Sequence, residues 1–284
     1  MIACDDDGNH AALVEHNVSL TGLAVDWIHG LVFWTDWGLK TVNVMNLNTK
    51  QRKVLFNEDI DSPGAIAVDP SKGLIFWTDW KKETIERASM DGNDRMTIVN
   101  SSSSTGIALD IFHERVYWAD RNTNTIASID YNENDRRTIL RSSTYIKYPF
   151  SLAIFEDKLY WADVYQKGVF VMNKFNGTEV RQLINDVFEP RIVRVYHNAV
   201  QPELPNKCNH HSCGDGAICL PKDNSFKNRT GLPYSCVCAD GYKTGEEPNT
   251  CVLSIVSNVF TTTVPVPVVP IPAVPVPAAP APVT

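Results

Sequence analysis

Four tryptophan and aspartate pairs recur along this chain: Trp34 with Asp36, Trp77 with Asp79, Trp118 with Asp120, and Trp161 with Asp163. A repeated carboxylate could ligate a metal, or act as a general acid or base if its copies faced one cleft. A second acid precedes three of the motif tryptophans, at Asp26, Asp69 and Asp110, whereas the fourth copy has Phe155 and a shorter turn through Glu156-Asp157. Cys208, Cys213, Cys219, Cys236, Cys238 and Cys251 form another reactive set, with His210 and His211 among them, a donor group zinc could use if the thiols were free. An enzyme needs unlike groups brought together, such as a nucleophile beside a base. The histidines His10, His16, His29, His113, His197, His210 and His211 show no ligand spacing on one recognisable element. No catalytic residue is therefore assigned, and no metal or cofactor is expected.

The elements that carry these groups repeat. "GLAVDWIHGLVFWTDW" begins at 22, "AIAVDPSKGLIFWTDW" at 65, "GIALDIFHERVYWAD" at 106 and "SLAIFEDKLYWAD" at 151. A recurrence of about 42 residues marks a repeat architecture. Within each copy the apolar residues alternate with period two, which makes strands: "GLAVDW", "LVFWTDW", "TVNVMNLN" and "RKVLF" in the first. Asp91-Gly92-Asn93-Asp94 and Asn176-Gly177 supply the turns. Four short strands per unit predict an all-β fold of propeller blades. The repeated tryptophans then become packing between sheets, and the repeated aspartates become acceptors for backbone N–H groups, since radial copies do not converge on one pocket. Trp80 is matched only by Trp37, because Arg121 and Val164 follow the aspartate in the later copies.

Residues 20–251 resemble the YWTD propeller and following EGF-like module of the low-density-lipoprotein receptor family. The motifs are Phe33-Trp34-Thr35-Asp36, Phe76-Trp77-Thr78-Asp79, Tyr117-Trp118-Ala119-Asp120 and Tyr160-Trp161-Ala162-Asp163. "YPFSLAIFEDKLYWAD" resembles the last motif-bearing repeat, and "EPRIVRVYHNAVQP" the segment leading out of the propeller. The resemblance implies six blades, of which these four match the third to the sixth. The chain is thus expected to be a fragment, with apolar sheet faces exposed at the break. Six cysteines allow fifteen pairings; the resemblance implies Cys208 with Cys219, Cys213 with Cys236, and Cys238 with Cys251. The expected divisions are a partial blade or N-terminal remnant at 1–19, blades at 20–203, the EGF-like module at 204–252, and a disordered Pro/Val/Ala-rich tail at 253–284.

Clustered cysteines indicate an oxidising compartment, although no signal peptide or transmembrane helix is legible in the chain. The sequons at Asn17, Asn100, Asn176 and Asn228 agree with a secretory destination. The segment "QPELPNK" before the first module cysteine makes a poor calcium cage, while Asp5-Asp6-Asp7 reads as a solvated run and Cys4 as an unpaired remnant or intermolecular partner. A formal charge of -7 with scattered basic residues gives no nucleic-acid footprint.

The function implied by the resemblance is that of a non-enzymatic extracellular part of an endocytic receptor, engaged in cargo binding or pH-dependent release. Its expected partners are a protein or lipoprotein ligand, or neighbouring ligand-binding modules of the same receptor, with membrane attachment only through sequence not present here. His29 and His113, in inter-strand turns, are the candidate pH sensors. The alternative is the ligand-binding propeller of a signalling co-receptor or matrix protein, with Trp37, Trp80 and Phe112 as candidate anchors.

Overall fold

Alternating apolar residues separated by turn residues favour antiparallel hairpins, and four consecutive hairpin strands make each unit here. The structure is a computed structural model that describes residues 2–4, 10–12, 18–100, 103–223 and 231–254. A hairpin of β1 (Ile2–Cys4) and β2 (His10–Ala12) comes first. Blade 1 is β3 (Leu20–Asp26), β4 (Leu31–Asp36), β5 (Thr41–Asn46) and β6 (Arg52–Phe56); blade 2 is β7 (Pro63–Asp69), β8 (Leu74–Asp79), β9 (Thr84–Ser89) and β10 (Met96–Asn100). Blade 3 is β11 (Ser104–Asp110), β12 (Arg115–Asp120), β13 (Thr125–Asp130) and β14 (Arg137–Arg141); blade 4 is β15 (Pro149–Phe155), β16 (Lys158–Asp163), β17 (Gly168–Asn173) and β18 (Arg181–Ile184). All four sheets are antiparallel and in strand order. Asp5–Asp7, Asn17, Asn228 and residues 255–284 of the tail lie outside the described residues.

Register repeats with the sequence. Trp34, Trp77, Trp118 and Trp161 pair with Leu23, Ile66, Ile107 and Leu152 of their own first strands, and all four rings are buried. Successive first strands lie side by side. A Cβ on Gly22 would stand 2.5 Å from the Gly64 carbonyl oxygen, so only glycine admits that approach. Thr21 Oγ1 donates to Pro63 O at 2.8 Å, and Thr105 Oγ1 donates to Pro149 O one junction on. The exit segment continues this pattern: Val193 N–H donates to Ser151 Oγ at 3.2 Å, again across 42 residues. It occupies the station beside β15 where the next first strand would fall.

Apolar clusters join blade 1 to blade 2, blade 2 to blade 3, and blade 3 to blade 4. At the start of the row, Leu23 and Val25 are each 40% exposed, whereas their copies Ile66 and Val68 are buried. Every residue of β18 is exposed at the other end.

The cysteine-rich module adds β19 (Ala217–Pro221) paired with β20 (Tyr234–Cys238), and β21 (Tyr242–Thr244) paired with β22 (Cys251–Leu253). Its bridges are Cys208–Cys219, Cys213–Cys236 and Cys238–Cys251, the set implied by the resemblance. Strand β22 runs to Leu253, one residue past the expected boundary, because it completes a ladder with Tyr242.

Candidate functional site: two halves of one loop face

The motif aspartates are engaged locally. Asp36 accepts from Leu39 N–H; Asp79 from Asp61, Ser62 and Lys82; Asp120 from Asn122 and Thr123; Asp163 from Lys147, Tyr148 and Gln166. In blades 2 and 4 these bonds tie the loop after the second strand to the loop entering the blade, and in blades 1 and 3 they shape the loop after the second strand. Among the described residues no group of three or more His, Cys, Asp or Glu is placed to hold a metal ion.

The earlier acids organise the other set of strand ends. Asp26 Oδ1 accepts the N–H groups of Ile28 and His29, both at 3.0 Å, while its Oδ2 lies 2.6 Å from His29 Nδ1. That orientation leaves His29 Nε2 bare, and it accepts the backbone N–H of Lys207 at 3.0 Å. Asn206 Nδ2 donates to Ile28 O at 2.8 Å, and Trp27 Nε1 to Pro202 O at 3.0 Å. In blade 2, Asp69 holds the same turn through Ser71 and Lys72. The Lys72 carbonyl accepts from Lys207 Nζ at 2.9 Å, and the Lys222 carbonyl accepts from the same ammonium at 3.1 Å. Burial pushes the Lys207 ammonium below its ordinary range, against the pull of Asp223, Asp69 and Asp26.

The module covers this half over an apolar contact. Ile218, Leu220 and Ala239 are buried in one cluster with Leu31, Phe33, Ile75 and Trp77. At the edge, Ser235 Oγ donates to Asp91 at 2.7 Å, and Asp240 N–H donates to Arg52 O at 2.8 Å.

The half over blades 3 and 4 is open. Asp110 Oδ2 lies 2.9 Å from His113 Nδ1, repeating the pairing of blade 1, and 2.5 Å from Lys174 Nζ. Both Lys174 and Asp110 side chains are only 4% exposed. Lys174 stands where the preceding blades have Leu47, Met90 and Tyr131, each of which donates its N–H to the loop below. Phe112 is 89% exposed and Phe175 is 45% exposed, and their rings flank His113 at 4.9 and 5.3 Å. Lys72 bridges the two halves through Glu114 at 2.7 Å, a bond that raises the Lys72 pKa.

Trp37 and Trp80 lie at the opposite strand ends, so Phe112 does not join them in one surface. Trp80 borders a recess of about 60 Å³ with Ser103, Thr105, Arg121, Tyr148 and Phe150. Arg121 donates to the Tyr148 hydroxyl at 3.0 Å, and Tyr165 packs on Tyr148 at 4.9 Å. Trp37 is exposed and is not among the recess residues. Sequence reasoning missed Arg121 and Tyr148 as site residues. Arg121 was findable, since it follows the motif aspartate as Trp80 does.

The architecture defines a protein of propeller repeats with a docked, disulfide-held EGF-like module. Residues 30–70, 73–111 and 114–156 match the low-density lipoprotein receptor repeat class B family, and the chain carries repeats of that class. Over 266 residues it is 32% identical to "Low-density lipoprotein receptor-related protein 8" of Homo sapiens, an overlap covering 92% of this chain and 27% of that protein. It is 30% identical over 250 residues to the "Vitellogenin receptor" of Solenopsis invicta, covering 87% of this chain and 11% of that one. The chain therefore spans a minor part of these relatives' length. A likeness of fold alone links it to hydrazine synthase of Kuenenia stuttgartiensis, at a TM-score of 0.50, 16% identity, and coverage of 61% of this chain and 51% of that one.

Proposed function

We propose that this chain is the non-enzymatic, extracellular propeller and EGF-like part of an endocytic receptor for protein or lipoprotein cargo, and that its propeller–module contact loosens on acidification. The class B repeats and the named relatives support the receptor reading, and three disulfides fit the compartment. The pH-dependent part is carried by His29. With Nδ1 facing Asp26, Nε2 can accept the Lys207 N–H only while unprotonated. A proton on Nε2 would set two donors against each other. Protonation of the ring at Nε2 would therefore break the contact, and this is the loosening proposed on acidification.

Hydrogen exchange over residues 202–208, corrected for intrinsic rates, tests this between about pH 7 and about pH 5.5. The wild type should lose protection on acidification, and His29→Phe should lack it at both values. Equal wild-type protection at both would overturn the pH-dependent part. A membrane-displayed form that binds cargo and never internalises it would overturn the uptake part.

The Trp80, Arg121 and Tyr148 recess favours a second reading, a ligand-binding face of a signalling co-receptor or matrix protein. Loss of ligand binding in Trp80→Ala and Arg121→Ala, with uptake absent, would select it.

A further inference from the structure

The open half carries an occupant written into the adjoining turn. We propose that Asn176 bears an N-linked oligosaccharide whose proximal sugar packs on the aromatic row of Phe175, His113 and Phe112. The proposal rests on the extracellular reading above. Asn176-Gly177-Thr178 is a sequon on the exposed turn between β17 and β18.

The turn fixes the acceptor. Asn173 N–H donates to Thr178 O at 2.9 Å, Gly177 N–H to Asn173 O at 3.0 Å, and Asn173 Oδ1 accepts from Phe175 N–H at 3.0 Å. Gly177 has a φ of 68°, the left-handed conformation that glycine adopts without strain. Asn176 Oδ1 accepts both the hydroxyl of Thr178 at 2.7 Å and its N–H at 3.1 Å. The carboxamide oxygen is thereby polarised, while Nδ2 has no hydrogen-bond partner among the described residues.

In the transfer, Nδ2 forms a bond to the anomeric carbon of a lipid-diphosphate-linked oligosaccharide. The bond from that carbon to the diphosphate oxygen breaks, the lipid diphosphate leaves, and the amide proton passes to a base of the transferase. The attached sugar is bulky and hydrated at its rim, and it presents a C–H face that suits the negative face of an aromatic ring. Phe175 adjoins the acceptor in sequence, His113 meets Phe175 edge to face, and Phe112 meets His113 in the same way. One glycan covers the exposed row without a second protein.

Of the remaining sequons, Asn100 is exposed at the end of β10, but its Ser102 lies outside the described residues, as do Asn17 and Asn228. The turn at 173–178 is the one sequon whose full geometry is described.

The whole chain, secreted behind a supplied leader, gives the test. Peptide mass analysis after enzymatic release of N-glycans should show aspartate at 176 in the wild type, and no modification there in Asn176→Gln or Thr178→Ala. Exchange over residues 111–114 should slow when the glycan is present and return to the bare rate in Asn176→Gln. An unmodified Asn176 in secreted protein with all three disulfides formed overturns the proposal and leaves the receptor reading untouched. A modified Asn176 with unchanged exchange at 111–114 overturns the packing. A modified chain that fails to bind or internalise cargo counts against the receptor reading alone.

Discussion

Blades 1 and 3 both end their first strand in an aspartate followed three residues later by a histidine, and carboxylate and ring meet at 2.6 Å in one and 2.9 Å in the other. In blade 1 the outer ring nitrogen is used: it receives the N–H of Lys207, and the module lies over an apolar patch beneath it. In blade 3 the outer nitrogen has no partner among the described residues, and two exposed phenylalanines stand where a covering element would be. The difference is made by neighbours rather than by the loop. Blade 2 presents Met90 toward blade 1, whereas blade 4 presents Lys174 toward blade 3 and satisfies Asp110 from the side. A repeated device can thus support an interdomain contact in one copy and be self-contained in another.

The largest effect should come from breaking that self-containment. Lys174→Ala leaves Asp110 buried without its ammonium, and losing one partner of such a pair costs about 3–5 kcal/mol. The paired change Lys174→Met with Asp110→Leu should recover most of that loss, because Met90 already fills the equivalent site in blade 2. Denaturant midpoints measure both. If Lys174→Ala alone costs nothing, the pair does not hold blades 3 and 4 together.

A somewhat smaller effect separates covered from open apolar residues. Leu220→Ala removes a fully buried side chain from the cluster shared with Leu31 and Trp77, and should cost about 2–5 kcal/mol. Phe112→Ala, in protein lacking glycan, should change stability by less than about 0.5 kcal/mol, since its ring is almost wholly in solvent. Comparable losses in the two variants would show that the open half is covered by something else in solution.

The blades were legible because their signal is periodic: each motif tryptophan meets the same first-strand position, and period-two alternation survives in every copy. The bridges were reached through resemblance, not through spacing. The docked module was not legible. His29 and Lys207 are 178 residues apart, and the group that meets the ring is a backbone N–H, which leaves no mark on residue type. Asp110 was visible as a repeated acid, but its partner was not, because the third strand was followed out to Leu47 in the first copy and was not traced in the fourth, where Lys174 takes that place. Aligning the third strands of all four copies would have exposed a lysine in a column of Leu47, Met90 and Tyr131. Likewise Phe112 stood with Trp37 and Trp80 as an exposed aromatic, yet the strand between them places it on the opposite rim.

The smallest contrast is also the most specific. His29→Ala leaves the Lys207 N–H facing a gap and removes one partner of Asp26, so it should weaken the folded state by about 1–3 kcal/mol near neutral pH. His113→Ala should cost less than about 1 kcal/mol, because Asp110 retains Lys174 and the outer nitrogen has nothing to lose. The two variants should also diverge with pH. The His29 bond to Lys207 requires a bare Nε2, so under the proposed protonation on acidification the penalty for His29→Ala should shrink as the wild type loses the same bond. The small penalty for His113→Ala lacks that acceptor and should not follow this course. Thermal unfolding of both variants beside the wild type, at a series of pH values, separates the outcomes. A His29→Ala penalty that is constant or grows toward acid pH would mean that attraction between a protonated ring and Asp26 outweighs the lost acceptor, and the two histidines would then differ only in burial.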